Sequence, residues 1–295
     1  MNKIITHSES FHVDDMFAVA TLTLILGEGN YEIVRTRDEK IFPTGDYVVD
    51  VGGIYDEKKN RFDHHQEGGA GNWENGVPYS SFGLVWKKFG LEITKDAEIY
   101  EGITKKLVLP IDSMDNGIDI YELKGEVEPY TIDNVRRTFL PYGEELKDAD
   151  AYDKRFLEAV NFARRVLERE IFRATAKKTD EQIVAEIYKN SAEKRYVVLE
   201  REMSITKLSE DNPGILFVVS PRFGSSNWGI RKIEKNRGSF EARKLFPESW
   251  AGKSGEEFEK VTGVKGAKFC HNGRWIAVAG SKDAALQLVE IALNS

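Results

Sequence analysis

The segment Tyr47-Val48-Val49-Asp50-Val51-Gly52-Gly53 limits the fold more than any other. It is a short apolar run with an aspartate near its end, closed by two glycines. A run apolar on both faces belongs to a strand buried in a parallel sheet, and parallel strands need crossover connections, usually helical. The neighbouring sequence supplies them. Residues 3–6 read as a short buried strand ending in a loop. Residues 14–26 read as a helix, because Phe17, Ala20, Thr21, Leu24 and Ile25 recur at three- and four-residue steps. Gly27 and Gly29 end it. Residues 31–36 alternate and are β-branched, which predicts a strand. Ser80 or Ser81 caps a helix running to about Phe89, with Gly90 beyond its end. Residues 96–109 read as a further helix. This order predicts a layered α/β domain over about the first 125 residues. The Gly-, Asn- and Glu-rich loop at residues 66–79 is long for a connector and suits a mobile segment at an active site.

The second half changes character. Residues 151–176 carry one apolar stripe, Phe156, Val160, Ala163, Leu167, Ile171 and Ala174. Thr179 and Gln182 have capping-box spacing and predict a second helix with Ile183, Val184 and Ile187 on one face. Residues 196–199, 215–220, 228–233 and 274–279 read as strands, and residues 282–293 as an amphipathic closing helix. The expectation is a parallel-sheet α/β domain over residues 1–145, a helical connector over 146–191 and a smaller α+β domain over 192–295.

Composition excludes several classes. Of 295 residues 41% are hydrophobic and 31% charged, enough apolar surface to fill a core, so a disordered chain is excluded. No apolar run approaches the roughly 20 residues that a bilayer demands. The single cysteine, Cys270, excludes an intrachain disulfide framework and a multi-cysteine zinc site. No apolar stretch typical of a secretory signal follows Met1, so a cytoplasmic protein is expected. The net charge of −7 excludes a uniformly basic coat. Residues 213–282 nevertheless hold 13 Lys and Arg against 6 Asp and Glu, leaving −14 for the rest. The plain reading of that contrast is solvated surface, and the functional one is a basic face for a phosphate-bearing ligand.

The histidines are the chemical signal. Four of five lie in the first 65 residues: His7, then His12-Val13-Asp14-Asp15, then Asp63-His64-His65 after Asp50. Asp112-Ser113-Met114-Asp115-Asn116-Gly117 follows. A lone histidine is usually a satisfied polar residue, and Asp63-His64-His65 alone could be a charged turn. Together, imidazoles and carboxylates suit Mn²⁺, Fe²⁺ or Zn²⁺. His7 follows one strand and Asp50 ends another, so both reach the crevice at the carboxyl edge of the sheet. Two adjacent histidines cannot face one core, which is explained if one binds metal and the other a substrate anion.

Several segments carry a resemblance. Thr6-His7, Phe11-His12-Val13-Asp14-Asp15, Val48-Val49-Asp50-Val51-Gly52-Gly53, Arg61-Phe62-Asp63-His64-His65-Gln66 and Asp112-Ser113-Met114-Asp115-Asn116-Gly117 resemble the Myg (melanocyte-proliferating-gene) family. So do Trp250-Ala251-Gly252, Thr262-Gly263 and Phe269-Cys270-His271-Asn272-Gly273. The family groups DHH-like metal-dependent phosphoesterases, whose eukaryotic members act as RNA exonucleases. The resemblance implies a DHH-like catalytic domain with two divalent ions, Mn²⁺ first among the candidates. It implies His7, His12, Asp14, Asp50, His64 and either Asp112 or Asp115 as ligands. Asp115 is favoured slightly, because it precedes Asn-Gly as in the Asp-Thr-Gly of some relatives. His12 stands where an aspartate is usual, which raises the share of nitrogen ligands. Asp50 would bridge the ions, Asp15 would orient His7 or His12, and His65 would hold the scissile phosphate.

The second domain would then grip substrate. Arg222, Arg231, Lys232, Arg243, Lys268 and Arg274 can meet phosphates. Phe223, Trp228, Phe240, Trp250 and Trp275 can stack on bases, although most are expected in the core. His271-Asn272-Gly273 before a strand looks like a substrate-binding motif, with a hairpin turn as the competing reading. The expected activity is an exonuclease on single-stranded RNA or DNA. The alternative is a hydrolase of small phosphate compounds such as oligonucleotides, cyclic dinucleotides or pyrophosphate. A non-catalytic metal scaffold explains the adjacent histidines less well. No membrane partner is expected, and a homo-oligomer is compatible with a sequence that leaves the oligomeric state open.

Overall fold

The computed structural model describes residues 1–236 and 239–295. Arg237, counted above in the basic stretch, and Gly238 lie outside the described residues. The chain divides into two compact units, Met1–Ala174 and Thr175–Ser295, each mixed α/β with one five-stranded sheet.

The first unit begins with β1 (Asn2–Thr6), α1 (Val13–Leu26), β2 (Tyr31–Arg35) and β3 (Tyr47–Val49). Two short strands follow, β4 (Tyr55–Asp56) and β5 (Arg61–Phe62). The sheet order is β2-β1-β3-β5-β4. The first four strands are parallel and β4 runs antiparallel to β5. The carboxyl ends of β1, β3 and β5 therefore share one edge, followed by His7, Asp50 and Asp63 respectively. The β4–β5 pair escapes a sequence reading, because two-residue strands show no period.

Helix α1 is buried on every side through Thr23, more completely than a single stripe predicts. Thr21 and Thr23 tolerate this burial by returning their hydroxyls to the carbonyls of Phe17 and Ala20, at 2.8 and 2.7 Å. Its neighbour α2 (Ser81–Thr94) packs on it through Phe17 and Phe82, ring centroids 5.3 Å apart. The expected stop at Gly90 is corrected: α2 continues to Thr94 and ends on Lys95 in the left-handed region. Gly90 serves packing. A Cβ there would meet the Trp86 ring at 2.7 Å and Tyr100 at 2.8 Å. Alanine would gain about 1 kcal/mol of helix propensity, but overpacking costs about 1–3 kcal/mol. Gly90→Ala is accordingly expected to destabilise by up to about 2 kcal/mol, read as a lower urea midpoint at unchanged slope. A gain in stability would show that the rings move aside freely.

The helix expected over residues 96–109 is three pieces: α3 (Ala97–Ile103), a π-turn (Thr104–Val108) and α4 (Leu109–Asp115). The carboxylate of Asp96 caps the first. After α5 (Ile132–Arg137) comes α6 (Ala151–Asn190), a single helix of 40 residues. The break expected at Thr179 is corrected. Its hydroxyl bonds back to the Thr175 carbonyl at 3.1 Å, as within a helix, and caps nothing. Phe156, Val160, Ala163 and Leu167 enter the first unit's core, while Val184 enters a cluster of the second.

The second unit contains β6 (Tyr196–Val198), α7 (Thr206–Asp211), β7 (Phe217–Pro221), β8 (Trp228–Lys232), α8 (Gly255–Thr262), β9 (Ala267–Cys270), β10 (Ile276–Ala279) and α9 (Lys282–Asn294). Its sheet order is β6-β7-β8-β10-β9, antiparallel except for β6 and β7. Helices α8 and α9 cover one core, which holds Trp250 and Phe258. Among the described residues no helix is long and apolar enough to cross a membrane.

Candidate metal centre

Three strand ends and two helices build one cluster in the first unit. His7 follows β1 and is almost fully buried. Its Nε2 lies 3.0 Å from Asp15 Oδ2 and 3.3 Å from Asp50 Oδ2. Its Nδ1 faces the Ser8 carbonyl at 3.1 Å, which fixes the ring. Asp14 and Asp15 occupy the first turn of α1, where the helix dipole favours carboxylates. Asp15 Oδ1 also accepts the His12 backbone N–H at 3.1 Å. Asp50 closes β3 with a φ of +54°, a left-handed conformation that aspartate tolerates and that costs energy at a strand end. Phe62 on β5 accepts its backbone N–H at 3.1 Å.

His64 Nε2 stands 3.4 Å from Asp50 Oδ1, 3.3 Å from Asp115 Oδ2 and 3.8 Å from Asp14 Oδ2. Three sets of ligand-type atoms each lie within 4.8 Å of one another: His7, His12 and Asp50; Asp50, His64 and His65; His12, Asp14 and Asp115. Asp50 belongs to two of them. Its Oδ1 and Asp14 Oδ1 are buried with no hydrogen-bond partner. A buried carboxylate oxygen left so is costly unless a cation meets it.

The electrostatics agree with that need. Burial pushes the Asp14 carboxyl well above its usual range, and the charges of Asp50, Asp115 and Asp15 push the same way. Burial likewise raises Asp15 and Asp115. Burial opposes ionisation of Asp50 too, but the His64 and His7 imidazoles outweigh it and hold that carboxyl below its usual range. Burial lowers His7, yet its bonds to Asp15 and Asp50 lift it to about 10. The four carboxylates thus crowd together around the imidazoles of His7 and His64, and divalent cations would relieve that concentration of negative charge.

Asp112 is not in this cluster. It is fully buried, and its oxygens accept the Trp73 indole N–H at 2.6 Å, the Ser80 hydroxyl at 2.6 Å and the Gly83 backbone N–H at 3.1 Å. Ser80 therefore stands before α2 without capping it. A Cβ at Gly83 would fall 2.0 Å from Asp112 Oδ2, so only glycine admits this carboxylate. Burial pushes the Asp112 carboxyl up to about 7 against the pull of those donors. Trp73 comes from the loop over residues 66–79, which ties that segment to α4.

Several partners escaped the sequence reading. Ser81 donates to Asp14 Oδ2 at 2.7 Å. Asp63 accepts the Gly53 N–H at 2.6 Å, the His65 N–H at 3.0 Å and His65 Nδ1 at 2.8 Å. The Asp-x-His spacing is the signal that could have disclosed it, since aspartate commonly bonds the backbone two residues on. With Nδ1 held, His65 keeps Nε2 for other partners. Arg136 and Arg137 of α5 line the crevice beside His12, His64, His65 and Asp115.

The second unit holds the remaining candidates. His271, Asn272, Gly273 and Arg274 form the hairpin turn between β9 and β10, with Arg274 in the left-handed region. His271 Nδ1 accepts the Gly273 N–H at 2.9 Å, and Arg274 donates to the Phe246 carbonyl at 3.2 Å. Arg222 is exposed, and Arg231 lies 4.0 Å from Glu202. Arg243 is committed to the carbonyls of Ser209, Asn212 and Ile215. The expectation that most of the five aromatics are core is corrected. Trp250 is buried, but Phe223, Phe240 and Trp275 are exposed, Phe223 by 99%.

Comparison with known proteins bears on the whole chain. The MYG1 protein of Chlamydia muridarum is 31% identical over 298 residues, covering 98% of this chain and 96% of its own length. The MYG1 exonuclease of Rattus norvegicus is 29% identical over 331 residues, covering 99% and 84%. Among solved structures, RecJ in complex with Mn²⁺ from Thermus thermophilus shows 10% identity and a TM-score of 0.29. That match takes in 99% of this chain and spans about half (52%) of the RecJ chain. Residues 3–293 match the family MYG1_exonuc, described as Uncharacterised protein family (UPF0160), and the chain belongs to that family.

Proposed function

We propose that the protein is a DHH-type, metal-dependent phosphodiesterase that removes nucleotides from an end of single-stranded RNA or DNA. The observation that carries this reading is Asp50. One buried carboxylate is shared by two sets of candidate ligands and keeps an oxygen that accepts no hydrogen bond. The Rattus norvegicus relative, named an exonuclease, supports the choice among phosphodiesterases.

In this reading His7, His12, Asp14, Asp50, His64 and Asp115 hold two divalent ions, with Mn²⁺ the first choice for a mixed nitrogen and oxygen set. When bound, such ions supply an activated water at neutral pH and neutralise phosphoryl charge. Asp50 would be shared between them, and Ser81 orients Asp14. Asp15 orients His7 and fixes the start of α1 through His12. Asp112 is a structural residue that anchors α4 to α2 and Trp73. Asp63 turns His65 so that, with the ring protonated, its Nε2–H would donate to an oxygen of the scissile phosphate. In the second unit Arg222, Arg231, His271, Asn272, Gly273 and Arg274 offer donors to a nucleic-acid backbone.

The purified protein with Mn²⁺ is expected to shorten end-labelled single strands one nucleotide at a time and to stop on chelation. Dinucleotides and pyrophosphate as parallel substrates separate this reading from a small-phosphate hydrolase. Cleavage first at internal positions, or none with any divalent ion, would contradict it. The two adjacent histidines should also separate. His64→Ala is expected to weaken metal binding by tenfold or more, since even a group that only orients a ligand is worth about 10–100-fold. His65→Ala is expected to lower kcat by about 100-fold or more with metal affinity preserved. Equal metal loss in both variants would mean that both are ligands.

A further inference from the structure

The crevice at the metal cluster, about 580 Å³, has a neighbour of about 810 Å³ in the same unit. Arg136 and Arg137 line both. Asp133 accepts Arg136 Nε at 3.0 Å, together with Arg136 Nη2, and Arg137 Nε at 2.9 Å, so one carboxylate serves two guanidiniums. The plain reading is a surface ion pair of little consequence. Two observations count against it. Arg136 is 8% exposed at the wall of a cavity, unlike the solvated cation of a surface pair. Asp133 also carries one negative charge against two guanidiniums, so the group is not neutralised within α5. Arg137, gripped through Nε, still offers its two terminal amino groups, and Arg136 keeps Nη1, donors suited to a phosphate. The second cavity is lined by Tyr142, Tyr152, Leu140 and Pro141, and Tyr142 is 87% exposed. An exposed aromatic beside a phosphate-binding fork is the arrangement that accepts an unpaired base.

We propose that Arg136 and Arg137 hold the phosphate next to the one cleaved, with its base in the cavity formed by Tyr142 and Tyr152. The first unit would then recognise a strand with at least two internucleotide phosphates. This rests on the phosphodiesterase reading above, and it deepens that reading by adding a subsite. Asp133 is a positioning residue, since it aligns both guanidiniums and touches no substrate.

The test compares the trinucleotide ApApA, which has two internucleotide phosphates, with the dinucleotide ApA, which has one. In the Mn²⁺-loaded wild type, kcat/KM for ApApA should exceed that for ApA by about tenfold or more, the worth of one charge-assisted contact. Arg137→Ala should bring the ratio close to one, mainly through KM. Arg137→Lys should restore only part of it, because a point charge lacks the fork. Tyr142→Ala should give a smaller loss of the same preference. A wild-type ratio near one, or a ratio unchanged in Arg137→Ala, would overturn the proposal. Binding of end-labelled ApApA in Ca²⁺, followed by fluorescence anisotropy, reads the subsite without turnover. About tenfold weaker binding in Arg137→Ala supports it, and equal binding in both proteins, or none in wild type, overturns it. Binding that depends on Arg137 in a protein that cleaves nothing would refute the phosphodiesterase reading and leave the subsite standing.

Discussion

Asp50→Ala is expected to lower kcat on single strands by about a thousandfold or more, equivalent to about 4 kcal/mol of barrier, and to release bound metal. Asp50 is the buried carboxylate shared by two of the three candidate ligand sets. Its loss removes the one carboxylate common to two of those sets. The fold should survive. Asp50 sits after β3 at the sheet edge, and the backbone bond that pins it, to the Phe62 carbonyl, does not involve the side chain. Its replacement also relieves repulsion with Asp14 and Asp15 in the metal-free protein. Circular dichroism should be native, while metal analysis shows depletion. Activity within a few-fold of wild type at full metal occupancy would contradict the role assigned to Asp50.

The second large effect separates two aspartates three residues apart. Asp112→Ala should destabilise the protein by about 3 kcal/mol or more, because each buried donor left without an acceptor costs about 1–3 kcal/mol. The Trp73 indole, the Ser80 hydroxyl and the Gly83 amide would all lose theirs. Metal affinity at a temperature where the variant is folded should change little. Asp115→Ala should do the opposite. Partly exposed and 3.3 Å from His64, it should lose metal and activity with stability within about 1 kcal/mol of wild type. Urea denaturation and metal titration on both variants provide the check. The reverse pattern would make Asp112 the ligand.

This pair shows where the sequence stops being legible. Asp112 and Asp115 stand in one motif, and the motif leaves the choice open. What divides them is a close approach between α2 and α4 at Gly83, set by tertiary packing. The strand-end residues His7 and Asp50 were readable because a parallel sheet places its carboxyl ends together whatever the details. The acidic pair Asp14 and Asp15 was readable as a feature of one helix end because both stand in the first turn of α1. Asp63 was quoted among the motifs without a role, since its work is done through His65. Arg136 and Arg137 gave no signal at all, because α5 is six residues long and its cations look like any solvated pair. In the fold, Gly90 and the Thr179-x-x-Gln182 spacing read locally as helix ends. Packing against Trp86 and continuity of a 40-residue helix overrode them.

The central claim is that Asp50 joins two metal ions in one site. Anomalous diffraction at the manganese edge from crystals soaked in Mn²⁺ tests it most directly. The account predicts two peaks, both within coordination distance of the Asp50 carboxylate, one toward His7 and the other toward His64. A single peak, or two peaks of which either lies away from Asp50, would contradict it.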